Sequence, residues 1–170
     1  MKIKASVICW AVFLTSVAIL GPTLPDNVAT HFVSSGHPNG WMSRSDHLIF
    51  STLFGIGFSS FVIGICYLAR FLPASMLNVP HAEYWGSPKH FPEACDYLFG
   101  HSFWFGTLAS LWVTAFHYLI VQANRAVPVV LDSATLLGLT LVFFTVTAVW
   151  IAAMLWHFAH PGERSFAMRR

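Results

Sequence analysis

Nine histidines are the residues of this chain best suited to chemistry, and their spacing sorts most of them into three groups. His31, His37 and His47 share one polar interval with Asp26 and Asp46, a set that a folded loop could gather into a metal site. His101, His157 and His160 flank apolar runs, with Cys95 close in sequence, but their spacing matches no established ligand pattern. His117 stands alone inside an apolar run, where an imidazole bonds to a hydroxyl or carbonyl of a neighbouring helix, relays protons or holds a ligand. The third apolar run would leave His117 near one membrane face and the fourth would leave His157 near the other. At 1.5 Å per residue they stand about 20 Å apart in depth, too far to share one iron. Ser/His/Asp sets, paired carboxylates, phosphate loops and HExxH are absent as motifs, so the chain is expected not to be an enzyme and to carry no cofactor.

The elements that must position these histidines are membrane helices. With 56% hydrophobic and 9% charged residues, and a mean hydropathy of +0.63, the composition excludes an ordinary soluble domain. Four apolar runs predict helices over about 5–21, 47–71, 102–124 and 134–158, each free of charge in its interior and able to cross roughly 30 Å of hydrocarbon. The expected fold is all-α: a single transmembrane domain, residues 1–170, built as a four-helix bundle. The first run follows Lys2 and Lys4 and is read as a retained helix rather than a cleaved signal peptide, because Pro22 and Pro25 end it without a suitable cleavage site.

Seven basic residues (Lys2, Lys4, Arg70, Lys89, Arg164, Arg169 and Arg170) fall on one side of such a bundle, and only Arg44 and Arg125 on the other. The positive-inside rule then places both termini and the 72–101 loop in the cytoplasm, and the 24–47 interval outside it. The expected location is the bacterial cytoplasmic membrane. Cys9, Cys66 and Cys95 lie toward the reducing side, which argues for free thiols. The net charge of +2 forms no basic patch, and no nucleic-acid partner is expected.

Small residues at helical spacing suggest packing stripes at Gly57, Ser60 and Gly64, at Gly106, Ser110 and Thr114, and at Gly138, Thr145, Ala148 and Ala152. Ser110, Thr114, His117 and Asn124 form a polar stripe on the third helix. The outer interval reads as a turning cap, extended through "VATHF" and marked by turn signals at Gly36, Pro38 and Asn39-Gly40, with Phe32 and Trp41 as interfacial anchors. In the inner loop "EYWGSPKHFPE" places Tyr84 and Trp85 at the membrane surface, before a proline-limited turn and an amphipathic approach to the third helix.

"LPDNVATHFVSSGHPNGW" resembles the signature of a bacterial family, the domain of unknown function 1648, carried here by Leu24, Pro25, His31, Phe32, Gly36, Gly40 and Trp41. Asn39 replaces the usual Asp, which keeps the turn and removes a carboxylate. A second similarity, to a subgroup with an inner N-x-P-x-x-x-Y-W-x-x-P loop, rests on Asn78, Pro80, Tyr84, Trp85 and Pro88, with His117, Ala123 and Asn124 at the end of the third helix. The family includes small membrane proteins of unassigned role and the N-terminal part of immunity proteins against the sporulation-delay toxin. The resemblance names a family without naming a reaction; the bundle, two structured aromatic loops and the absence of a catalytic set lead to the expectation of a non-enzymatic partner of another membrane protein, as accessory subunit or immunity-like regulator, or a self-associating chain in the lipid bilayer. The residues themselves leave two alternatives: metal or cofactor binding through His31, His37 and His47 or through His117, and transport of a small molecule or proton through the bundle.

Overall fold

The computed structural model describes residues 2–161; Arg164, Arg169 and Arg170 of the charge count lie outside the described residues. Among the described residues four helices are long and apolar enough to span a bilayer, α1 (Lys2–Leu20), α2 (Arg44–Leu68), α4 (Phe91–Arg125) and α5 (Ser133–Ala159), with a short α3 (Ala82–Trp85) between α2 and α4. A single hairpin of β1 (Asn27–Phe32) and β2 (Pro38–Ser43) joins α1 to α2. The chain is thus an all-α multi-pass membrane bundle with one small sheet. The hairpin and the α4–α5 connection share one end, and the α2–α4 connection forms the other.

Helix ends follow local chemistry. Pro22, which has no N–H to donate, sits in a 3-10 turn over Gly21–Thr23 that closes α1. Ser43 caps α2: its Oγ accepts the Asp46 N–H at 3.1 Å and its hydroxyl donates to the Asp46 carboxylate at 2.6 Å. That cap draws Arg44, Asp46 and His47 into the first helical turn, three residues ahead of the apolar run. Asp132 caps α5 through the Thr135 amide and hydroxyl. The largest departure from the sequence reading is α4, which begins at Phe91 rather than 102, with Pro92 in its first turn. Residues 91–101 are the amphipathic approach itself, wound as helix, and they bury Ala94, Cys95 and His101. At 1.5 Å per residue α4 is about 50 Å long, well beyond the hydrocarbon thickness.

That long helix organises the bundle: α1, α2 and α5 all pack on α4, and α1 touches α2 only lightly. Ser6 of α1, fully buried, donates to the Phe103 carbonyl at 2.7 Å and meets Thr107 Oγ at 3.0 Å, a polar fastening of the kind that holds helices together in lipid. Gly55 lets α1 and α4 approach α2, since a Cβ there would strike the Phe13 ring and lie 3.1 Å from Val113. Gly106 is similarly close to Ile63. The α2 stripe of Gly57, Ser60 and Gly64 is corrected by these contacts. Nothing lies within 4 Å of a Cβ added at Gly57 or Gly64, and the packed face is instead His47, Gly55, Ser59 and Ile63. The expected α5 stripe also faces outward, with Gly138 in open space and Thr145, Ala148 and Ala152 exposed.

The hairpin turns at Gly36, whose φ of +82° favours glycine, and closes with Val33 N–H to His37 O at 2.9 Å and Gly36 N–H to Val33 O at 2.8 Å. Asn39-Gly40 is not part of this turn; both residues belong to β2, where Gly40 faces His31. Leu24, Val28, Ile120 and Val121 form a core that seats the hairpin on the end of α4.

Candidate functional site

At the hairpin end, α2 and α4 bring two histidines together that the sequence had assigned to different groups. His47 is 5% exposed and His117 2% exposed, and their rings lie nearly parallel, 5.9 Å between centroids with 15° between planes. The edge-on ring of Phe13 from α1 supports His117, 6.4 Å between centroids. Each position follows from helix geometry: His47 heads an i, i+4 series running through Ser51, Gly55, Ser59 and Ile63, and His117 lies on the face of α4 that carries Ser110 and Val113.

The pair borders a cavity of about 180 Å³ between α2 and α4, also lined by Phe50, Ser51, Phe54, Trp112, Val113, Phe116 and Ile120. Its walls carry two stacked aromatic pairs, Phe50 with Phe54 and Trp112 with Phe116. Among the described residues the chain supplies no hydrogen-bond partner for His47 Nε2, for either ring nitrogen of His117, or for Trp112 Nε1, all of which are buried. Leaving such a group unpaired costs about 1–3 kcal/mol, so several gathered at one cavity need an explanation. His117 does not bond to a hydroxyl or carbonyl of a neighbouring helix, the role a lone interior histidine was expected to play.

The remaining polar stripe divides. Ser110 and Thr114 return their hydroxyls to carbonyls four residues back in α4, at 2.8 and 2.7 Å. Asn124 serves the hairpin: its Oδ1 accepts the Ala29 N–H at 2.8 Å, and its Nδ2 donates to the Ala29 carbonyl at 2.9 Å and to Ile120 O at 2.9 Å. The carboxamide thereby imitates a neighbouring strand along the open edge of β1. Arg44 and Asp26, 2.8 Å apart, tie the hairpin base, and the Leu131 N–H donates to Gly36 O at 2.9 Å at its tip.

His31 and His37 are exposed on the hairpin, His31 bonding to Asn39 Oδ1 at 2.6 Å, while His47 is buried beneath it. The three do not converge, and among the described residues no group of three His, Cys, Asp or Glu is placed to hold a metal ion. Leu24 is buried in the hairpin core, Phe32 packs against it, and Pro25 and Trp41 are exposed.

At the opposite end Trp85, expected at the membrane surface, is packed into the protein, 3% exposed, and donates its indole N–H to Phe158 O at 2.9 Å. Tyr84 stacks on His90, while Asn78 and Pro88 are exposed and Pro80 is half-buried. His101 and Trp150 each hydrogen-bond the other's backbone carbonyl, at 3.0 and 3.1 Å, which clasps α4 to α5. His160 bonds to Trp156 O at 2.9 Å. Cys9, Cys66 and Cys95 are free.

Sequence reasoning missed Trp112 and Phe13 as parts of the cavity end, and Ser6 as the residue that fastens α1 to α4 farther from the hairpin. Only His47 left a legible signal, the small or polar residues recurring every four positions behind it.

Fold and site together define a multi-pass integral membrane protein with a histidine-lined cavity between two helices near a structured hairpin. Residues 7–55, which cover most of α1, the hairpin and the first part of α2, match the family model described as a domain of unknown function (DUF1648), the family expected from the hairpin signature. No curated protein and no solved structure matches the chain.

Proposed function

We propose that this is a non-enzymatic ligand-binding protein of the bacterial cytoplasmic membrane, with both termini cytoplasmic and the hairpin capping the binding cavity on the outer side. The observation that carries the reading is the cluster of unpartnered buried nitrogens on His47, His117 and Trp112 around one apolar cavity. A bound molecule offering oxygen atoms would satisfy groups that the chain itself leaves unpaired. Native mass spectrometry of the full chain released from its own membrane tests it. The wild type is expected to carry a small-molecule adduct that His117→Phe loses while keeping its melting temperature near that of the wild type. Bare chain, or identical adducts in both proteins, refutes the reading.

A second reading, association with another membrane protein or with a second copy, is favoured by α5, whose main packing partner is α4 and which turns Gly138, Thr145, Ala148 and Ala152 outward. An Ala148→Trp substitution is expected to break up such a complex, as read by cross-linking in native membranes. An unchanged cross-linking pattern counts against that face.

A further inference from the structure

The cavity between α2 and α4 restricts the chemistry of its ligand in three ways, and the inference drawn here rests on the ligand-binding reading above. Charge comes first. None of the residues lining the cavity is Lys, Arg, Asp or Glu, so an ionic ligand would enter apolar surroundings without a counter-charge. The ligand is therefore uncharged.

Polarity comes second. A neutral imidazole offers one N–H and one acceptor nitrogen, and an indole offers one N–H. At this cavity the atoms without partners are His47 Nε2, both ring nitrogens of His117 and Trp112 Nε1, at least two of them N–H donors, set just behind an otherwise apolar lining. Such a set suits oxygens that accept, either carbonyls or hydroxyls that can also donate.

Shape comes third. Phe50 and Phe54 stack 5.9 Å apart at 12° on α2, and Trp112 and Phe116 stack 5.4 Å apart at 5° on α4, so both helices bring paired aromatic rings to the cavity. The volume of about 180 Å³ is slightly larger than the roughly 150 Å³ apolar cavity that accommodates benzene, room for one substituted six-membered ring. Phe50 is 60% exposed and Phe54 46% exposed, so this wall is reached from the side of the helix that faces lipid. A ligand carrying a hydrocarbon tail could seat its ring and leave the tail in the bilayer.

We propose that the cavity binds the headgroup of a membrane-dissolved quinone or quinol. The flat uncharged ring lies along the aromatic walls, and its oxygens meet the imidazoles of His47 and His117 and the indole N–H of Trp112. The proposal concerns binding alone and assigns no electron transfer to this chain.

The test uses the full chain in lipid nanodiscs, with 15N-labelled histidine, titrated with a decyl-substituted benzoquinone in oxidised and reduced forms. The expected result is a saturable shift of the His47 and His117 signals, with those of His31 and His37 unmoved. His117→Phe and Trp112→Phe, each removing nitrogen while keeping a ring, are expected to weaken binding by about tenfold, the loss typical of one hydrogen bond to a buried donor. Melting temperatures near that of the wild type would show that both variants fold. Shifts that rise linearly with added quinone, or that persist unchanged in the variants, overturn the proposal. So do the same two histidines responding to zinc and not to quinone. If quinone fails while the native protein still carries an adduct lost in His117→Phe, the ligand class falls and the binding reading stands. If no adduct exists either, both fall.

Discussion

Replacing Asn124 by Ala isolates the device that holds the hairpin over the bundle. Ala29 is fully buried, and its N–H and carbonyl both rely on the Asn124 carboxamide. Each orphaned buried group costs about 1–3 kcal/mol, and partial entry of water brings the pair to about 2–4 kcal/mol. At 1.4 kcal/mol per factor of ten, local opening of the hairpin becomes roughly 30- to 700-fold more populated. Alanine is the better helix former, so α4 itself gains slightly, and any loss belongs to the hairpin contact. Amide hydrogen exchange resolved by residue is the assay, comparing 27–43 with the α4 interior. Hairpin protection is expected to collapse while protection around Val113 and Ile120 stays within a few-fold. If protection is unchanged across 27–43, the edge bonds to Asn124 do not hold the hairpin, and the view that it caps the cavity loses its support.

Two further perturbations have different readouts. Gly55→Val should cost about 1–3 kcal/mol by forcing Phe13 and Val113 apart, whereas Gly57→Ala should stay within about 0.5 kcal/mol, because nothing lies near that position; thermal melting in one detergent compares them. The Thr135 hydroxyl and amide hold the Asp132 carboxyl below its ordinary value of 3.8. A lowered native pKa means that this cap's contribution is fully present above that value and is lost as pH falls through it toward the native one. Asp132→Asn should therefore flatten the acid limb of a melting-against-pH profile, and an unaltered limb would remove the cap from the account.

The four crossings were legible because lipid offers the backbone no hydrogen bonds, so long uncharged runs must wind into helices. The turn at Gly36 was legible for a local reason too, since few other residues adopt its backbone angle. The early start of α4 was hidden: Glu93 and Asp96 made residues 91–101 look like loop, and only burial of Ala94 and Cys95 shows that they continue the helix. The packing of Trp85 was not legible, because an indole suits an interface as well as a core; the Phe158 carbonyl that takes its N–H lies seventy-three residues on.

His47 shows most clearly where sequence stops. Its neighbours in the chain grouped it with His31 and His37, whereas Ser43 capped α2 early enough to place it in the first turn, facing His117 seventy residues away in sequence. The sequence alone determined the number of long apolar helices, the approximate limits of all but the start of α4, and the hairpin turn, because backbone hydrogen bonding and local steric limits act over short stretches. The phase of each helix was decided by tertiary structure. Gly57, Ser60 and Gly64 repeat at helical spacing as well as Gly55, Ser59 and Ile63 do, and in a bilayer the lipid is as apolar as the protein interior, so hydropathy cannot say which face turns inward. The fit of Phe13 and Val113 at Gly55 and of Ile63 at Gly106 belongs to the second face, the one that sets His47 beside His117.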